Sequence, residues 1–247
     1  MEPSQNSFRK GVRDGIPICI GYLSVSFAFG VFAVGWGFNI WEAVLMSFTN
    51  VTSAGQLAAV PIMATGGSIL ELAATQLTIN IRYALMSVSV SQKLDEKVSV
   101  WHRLLIGFAV TDEIFGVSSS QPGRLGTRYM LGLESTPILG WTVGTLLGAV
   151  AGNLLPHFII SALGIAIYGM FIAIVVPPAK KSLPVLVCVL TAAALGCLFR
   201  YVPGLNQVPS GYVIIIVGIL SATLFAILCP RNDSDESAPS DGKEDLS

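Results

Sequence analysis

The chain has 247 residues, of which 53% are hydrophobic and 12% charged, with a net charge of −1. Soluble domains carry about 25% charged residues, so this composition excludes a water-facing globule. Nothing in it points to a nucleic-acid partner.

Apolar runs of about 20 residues recur along the chain, the length that crosses a bilayer as a helix. The fold class read from them is all-α, a polytopic membrane bundle. The four cysteines (Cys19, Cys188, Cys197, Cys229) fall in or at the edge of apolar runs without a CxxC pairing. They read as small buried hydrophobes. His102 and His157 stand isolated. With no nucleotide loop, zinc-type cluster or nucleophile–base pair, neither a cofactor nor an enzymatic reaction is expected.

Residues 1–15 carry Arg9, Lys10 and Arg13 and read as a cytoplasmic segment. The apolar run after Arg13 is too long for a signal peptide and offers no small-residue cleavage site. It forms a first span at 16–36, interrupted by Pro17, Gly21 and Gly30, with Trp36 and Trp41 flanking the turn that follows. A second span at 41–63 carries Ser47, Thr49, Asn50, Thr52, Ser53, Gly55 and Gln56 through its middle. Such polarity marks a broken or cavity-lining helix, or else small residues serving helix packing. A third span at 69–90 holds Asn80, Arg82 and Tyr83, and a fourth at 104–120 holds Asp112 and Glu113. Four further spans are expected at 136–155, 158–176, 183–199 and 208–228. The transmembrane domain thus covers 16–229. The tail 230–247 has six acidic and two basic residues with few apolar ones, and reads as disordered.

Eight spans put nine basic residues inside (Arg9, Lys10, Arg13, Arg124, Arg128, Lys180, Lys181, Arg231, Lys243) and four outside (Lys93, Lys97, Arg103, Arg200). Making the second span re-entrant would give seven against six, so the positive-inside bias favours eight, with both termini cytoplasmic. A faint repeat runs through this layout. The stretch 17–22 echoes 137–141 and 81–83 echoes 199–201, at offsets of 120 and 118 residues. Transporters are often built from repeated halves with the site between them.

Arg82 is the position that most needs explaining. An unpaired arginine in the bilayer interior costs several kcal/mol, with estimates from about 2.5 upward. Asp112 and Glu113 on the next apolar run are the available partners. They lie about 100° apart on a helix, so one pairs with Arg82 while the other is free to titrate. The alternative is a static pair that only fixes helix packing. Gln56, Asn80, Tyr83, Thr52 and Ser53 supply neutral hydrogen-bonding groups around this centre.

The segments 52–56, 80–87, 111–113 and 163–171, with Phe8-Arg9-Lys10-Gly11, Pro17 and Gly21, stand in an order that resembles the AzlC family. These are the large subunits of branched-chain amino acid exporters linked to azaleucine resistance. The resemblance covers about residues 8 to 229. It implies secondary export of hydrophobic amino acids across the cytoplasmic membrane of a prokaryote, coupled to an ion such as the proton. It also implies a small membrane partner of the AzlD type. A structural or regulatory subunit without its own substrate site is the competing expectation.

Overall fold

The computed structural model describes residues 6–154, 172, 175–177, 179–180 and 182–228. Most of the expected sixth span, the whole 163–171 segment and the acidic tail lie outside these residues. Everything described is helix, turn or loop apart from one isolated bridge between Leu94 and Leu125.

Nine α-helices are described: α1 (Phe8–Gly35), α2 (Ile40–Thr49), α3 (Ser53–Ala64), α4 (Ile69–Lys93), α5 (Val100–Ala109), α6 (Asp112–Ser120), α7 (Thr127–Leu154), α8 (Leu183–Tyr201) and α9 (Ser210–Leu228). Short polar side chains start many of them. Ser7, Asn39, Ser68, Ser99 and Thr111 each sit in extended backbone and accept a hydrogen bond from an amide of the first turn. Such caps satisfy donors that have no partner inside the helix. Asn39 and Glu42 form a reciprocal capping box. Gly37 and Gly66, at φ +91° and +73°, turn the chain after α1 and α3 in a region that β-carbons disfavour.

The chain ends show how these helices run. The starts of α1 and α7 and the ends of α4 and α6 meet at one face. Asn6 Nδ2 donates to Arg124 O at 3.1 Å, Leu125 N donates to Lys93 O at 3.0 Å, Lys10 reaches Gln121, and Lys93 reaches Ser119 O. At the opposite face the end of α1 meets the start of α2 and the end of α3. Phe29, Ala33, Ala43 and Val60 share one apolar cluster there. Gly67 lies against both Ile62 near the end of α3 and Glu71 at the start of α4.

Two of the eight expected crossings are therefore hairpins. The run 41–63 enters from the far face as α2, unwinds at Asn50-Val51-Thr52, and returns to the same face as α3. The run 104–120, expected as one continuous span, enters from the N-terminal face as α5, breaks at Val110-Thr111, and returns as α6. Each half-helix has nine to twelve residues, or about 14–18 Å, roughly half a hydrocarbon core. The charge distribution agrees. Arg9, Lys10, Arg13, Lys93, Lys97, Arg103, Arg124 and Arg128 all fall towards the N-terminal face, and the loops 36–39 and 65–68 opposite carry no Lys or Arg. The two hairpins together obey the positive-inside bias better than eight spans do, a combination the single re-entrant count did not reveal.

Between the hairpins run the long helices. α1 and α7 are parallel and packed along their whole length, with Gly132, Thr136, Gly140, Gly144, Gly148 and Gly152 recurring every fourth residue on α7. A Cβ on Gly148 would lie 1.9 Å from Phe27 O, and one on Gly30 2.3 Å from Thr145 O. Small residues let the backbones approach this closely where no hydrophobic effect drives association. The register of the contacts, with Gly140 on Cys19 and Gly152 on Val31, lies within a residue or two of the repeat offset. α9 runs parallel to α4: Gly211 sits on Glu71 and Thr75, and Gly218 on Thr78. α1, α8 and α9 are long and apolar enough to cross a membrane.

Single cysteines on a cysteine-free background test this layout with a membrane-impermeant thiol reagent. Glu96→Cys is expected to label from the same side as a cysteine at Asn6, and Thr65→Cys from the opposite side. Eight continuous spans predict the reverse for both.

Candidate functional site

The tips of the two hairpins meet midway between the faces, beside the centre of α4. Arg82 is the fourteenth of the 25 residues of α4, which places it at mid-membrane depth. Its Nη1 lies 2.7 Å from Asp112 Oδ2, and both side chains remain about half exposed, at 50% and 45%, towards a central cavity. The Arg82 guanidinium also donates to the Tyr83 hydroxyl at 3.1 Å and lies 4.8 Å from the centre of that ring.

The break in the fourth apolar run brings the acids into position. Val110 and Thr111 adopt extended backbone, so Asp112 and Glu113 open α6 instead of lying mid-helix. Carboxylates are favoured there by the unpaired amides and the helix dipole. The two acids diverge as their spacing predicts. Asp112 takes Arg82, whereas Glu113 Oε2 lies 2.5 Å from the hydroxyl of Tyr22, which is also 2.7 Å from Thr111 Oγ1.

A cavity of about 690 Å³ surrounds this centre, lined by Arg82, Tyr83, Asp112, Glu113 and Ser53 on its polar side. Pro17, Ile18, Val25, Val51 and Trp141 supply an apolar wall. The first turns of both α3 and α6 open onto it, so two positive helix ends point at one space. A smaller cavity of about 230 Å³ lies on the other side of the tips, lined by Thr49, Asn50, Thr52, Asn80, Gly107 and Val110, with Val51 and Tyr83 shared. Here the ends of α2 and α5 converge, and Asn80 Oδ1 is buried without a hydrogen-bond partner. The two cavities thus have opposite polarity.

Of the residues singled out in the sequence, Ser53, Arg82, Tyr83, Asp112 and Glu113 come together in the larger cavity. Thr52 and Asn80 face the smaller one. Gln56 lines neither. It is fully buried, accepting from Trp141 Nε1 at 2.8 Å and donating to Ser47 Oγ at 2.9 Å, and Ser47 lies 2.7 Å from Thr145 Oγ1. This chain of bonds fastens the first hairpin to α7. Gln56 aims nothing at the site itself.

Tyr22 and Trp141 are site residues that their types alone did not single out. Their rings meet edge to face, 5.2 Å between centroids. The signal was present, because they are the last members of the two echoing stretches 17–22 and 137–141. Asn50 and Gln76 join Asn80 and the Gly55 carbonyl in a further polar cluster at the first tip.

Replacing Gln56 by Leu leaves the buried Trp141 N–H without its acceptor and Ser47 without its donor. Each such loss costs about 1–3 kcal/mol. Thermal unfolding in detergent is expected to shift down by several degrees, whereas Ser53→Ala, beside the open cavity, is expected to leave it within about 0.5 kcal/mol.

A model of the family described as "AzlC protein" matches residues 17–155. The chain is 28% identical over 233 residues to "Inner membrane protein YgaZ" of Escherichia coli, covering 92% of each chain. It is 34% identical over 175 residues to an "Uncharacterized membrane protein" of Archaeoglobus fulgidus, covering 70% of this chain and 76% of that one. No solved structure matches.

Proposed function

The chain belongs to the AzlC family of membrane proteins, and from that premise we propose that it is a secondary transporter of hydrophobic amino acids. The observation that carries this reading is the opening of the Arg82–Asp112 pair onto a cavity with an apolar wall. An amino acid is a zwitterion, and the cavity offers both complements. Its carboxylate displaces Asp112 from the planar guanidinium of Arg82, between the first turns of α3 and α6. Its ammonium takes the freed Asp112 and the neighbouring Glu113. A branched aliphatic side chain then rests against Ile18, Val25, Val51 and Trp141.

The exchange of one ion pair for two keeps the Arg82 and Asp112 charges compensated at a depth where an orphan charge is costly. Opposed half-helices meeting at the midplane supply two gates of the kind that alternating access requires. The surplus of Lys and Arg at the N-terminal face supports a cytoplasmic location for that face. The inner membrane of a prokaryote is the setting, in line with the printed name of the E. coli relative. The family resemblance adds branched-chain substrates, outward transport and a small AzlD-type membrane partner to this reading.

Counterflow of labelled valine in proteoliposomes, with and without the small partner, tests the proposal. Saturable uptake that unlabelled leucine competes away is expected from the wild type. Arg82→Gln removes charge-assisted hydrogen bonds worth about 1.5–3 kcal/mol, so apparent affinity is expected to fall about ten- to hundredfold. No exchange by folded wild-type protein in either preparation overturns the amino-acid reading.

A further inference from the structure

Glu134 is a buried acid that none of the above uses. Its residue is 3% exposed, and its Oε1 has no hydrogen-bond partner. It lies on α7 seven residues before Trp141, which puts it on nearly the same helix face, about 10 Å nearer the N-terminal face. Its neighbours in sequence, Met130 and Leu133, pack into an apolar cluster with Ile106, Val110 and Ile114 of the second hairpin. On α7, Glu134 thus stands beside the residues that form the seam with that hairpin, at a level between the central cavity and the N-terminal face.

Among the described residues, the charged and titratable groups on the elements that pack against α7 are engaged elsewhere. On α1, Lys10 holds Gln121 and pairs with Asp14, Asp14 also takes the Tyr129 hydroxyl, and Tyr22 serves Thr111 and Glu113. Glu42 of α2 caps its own helix at the far face. His102 of α5 bonds Ser99, and Arg103 is held by oxygens of Ser91, Asp95 and Val98. Asp112 of α6 is neutralised by Arg82. Arg9, Arg13 and Arg128 are exposed. Among the described residues, no cation is left for Glu134.

An ionised carboxylate in an apolar site without a partner is so costly that such a group takes up a proton instead. Asp112 and Glu113, the acids that stand out in the sequence, both have partners here. We propose that Glu134, and not the Asp112–Glu113 pair, is the proton-carrying group of the transport cycle. The inference rests on the carrier reading above. In the present conformation its carboxyl group holds a proton. When the second hairpin moves against α7, water reaches the seam and the O–H bond breaks, the proton passing to solvent. A proton taken up from the other side restores the neutral acid. No electron transfer or co-reactant is involved.

Two measurements on wild type and Glu134→Gln test this. Infrared difference spectroscopy on the purified protein at neutral pH is expected to show the carbonyl stretch of a protonated carboxylic acid, absent from Glu134→Gln. In proteoliposomes carrying a pH-sensitive dye, a valine gradient is expected to drive proton movement by the wild type. Glu134→Gln is expected to keep valine counterflow within a fewfold of wild type while losing that proton signal. An unchanged infrared band in Glu134→Gln overturns the proposal, because Glu134 is then ionised. Undiminished valine-driven proton movement by Glu134→Gln overturns it too, and so does loss of counterflow by a folded Glu134→Gln. If the wild type exchanges no valine, the carrier reading itself fails.

Discussion

A guanidinium halfway across a bilayer has to be met by an anion, and the centre of this protein is arranged around that requirement. Arg82 stands near the middle of α4, and no continuous helix beside it ends at that depth. The second hairpin solves the problem by breaking at Val110-Thr111, so that Asp112 arrives at the first turn of α6, 2.7 Å from Arg82. A helix start carries unpaired amides that favour carboxylates. The break therefore supplies the counter-charge and a hospitable place to keep it. The first hairpin breaks at the same depth from the other side, and its Ser53 end completes the cavity. Backbone that leaves the helix inside a membrane survives only where protein or a polar cavity receives its unpaired groups, and the meeting of the two tips provides that.

The half-helices are too short to stand alone, so they lean on longer ones. α1 and α7 form the post, held at close range by glycines at every fourth position, where even one methyl group would strike the opposing backbone. The first hairpin is fastened to this post through Ser47, Gln56, Trp141 and Thr145, all buried and bonded to one another. The second packs on it through Ile106, Val110 and Ile114 against Tyr129, Met130 and Leu133. Glu134 lies on α7 beside that apolar cluster. A polar clamp on one hairpin and a largely apolar seam on the other make the second the element better suited to move.

The pairing of Arg82 with an acid of the next run was legible from physics alone, because the cost of the orphan charge leaves little choice. The interruption of the second run was legible too, in the row of polar residues from Ser47 to Gln56. A re-entrant second run was a legible alternative that the charge count disfavoured, and the second hairpin, at 104–120, was not foreseen. A hairpin of two short apolar helices has the length and composition of a single span, and nothing in residues 104–120 except two acids marks the turn. Val110-Thr111 contains neither Gly nor Pro. The charges held the missing information, since turning both runs back collects Lys93, Lys97 and Arg103 on the same face as Arg9, Lys10 and Arg13. Turning back only the second run hides this. Gln56 looked like a ligand because a buried glutamine in a span must bond something, yet its partners proved to be Trp141 and Ser47. Glu134 lay unremarked because it falls where a loop was expected to become a span.

The account depends most on Arg82 and Asp112 forming one charge-compensated unit within the membrane. A double-mutant cycle of Arg82→Gln, Asp112→Asn and the pair together, read by thermal unfolding, tests this directly. Each single change leaves one charge without its partner and is predicted to lower stability. The double change removes both charges and is predicted to recover most of the loss. Additive losses, with the double variant as unstable as the sum of its parts, would contradict the pairing and the site built upon it.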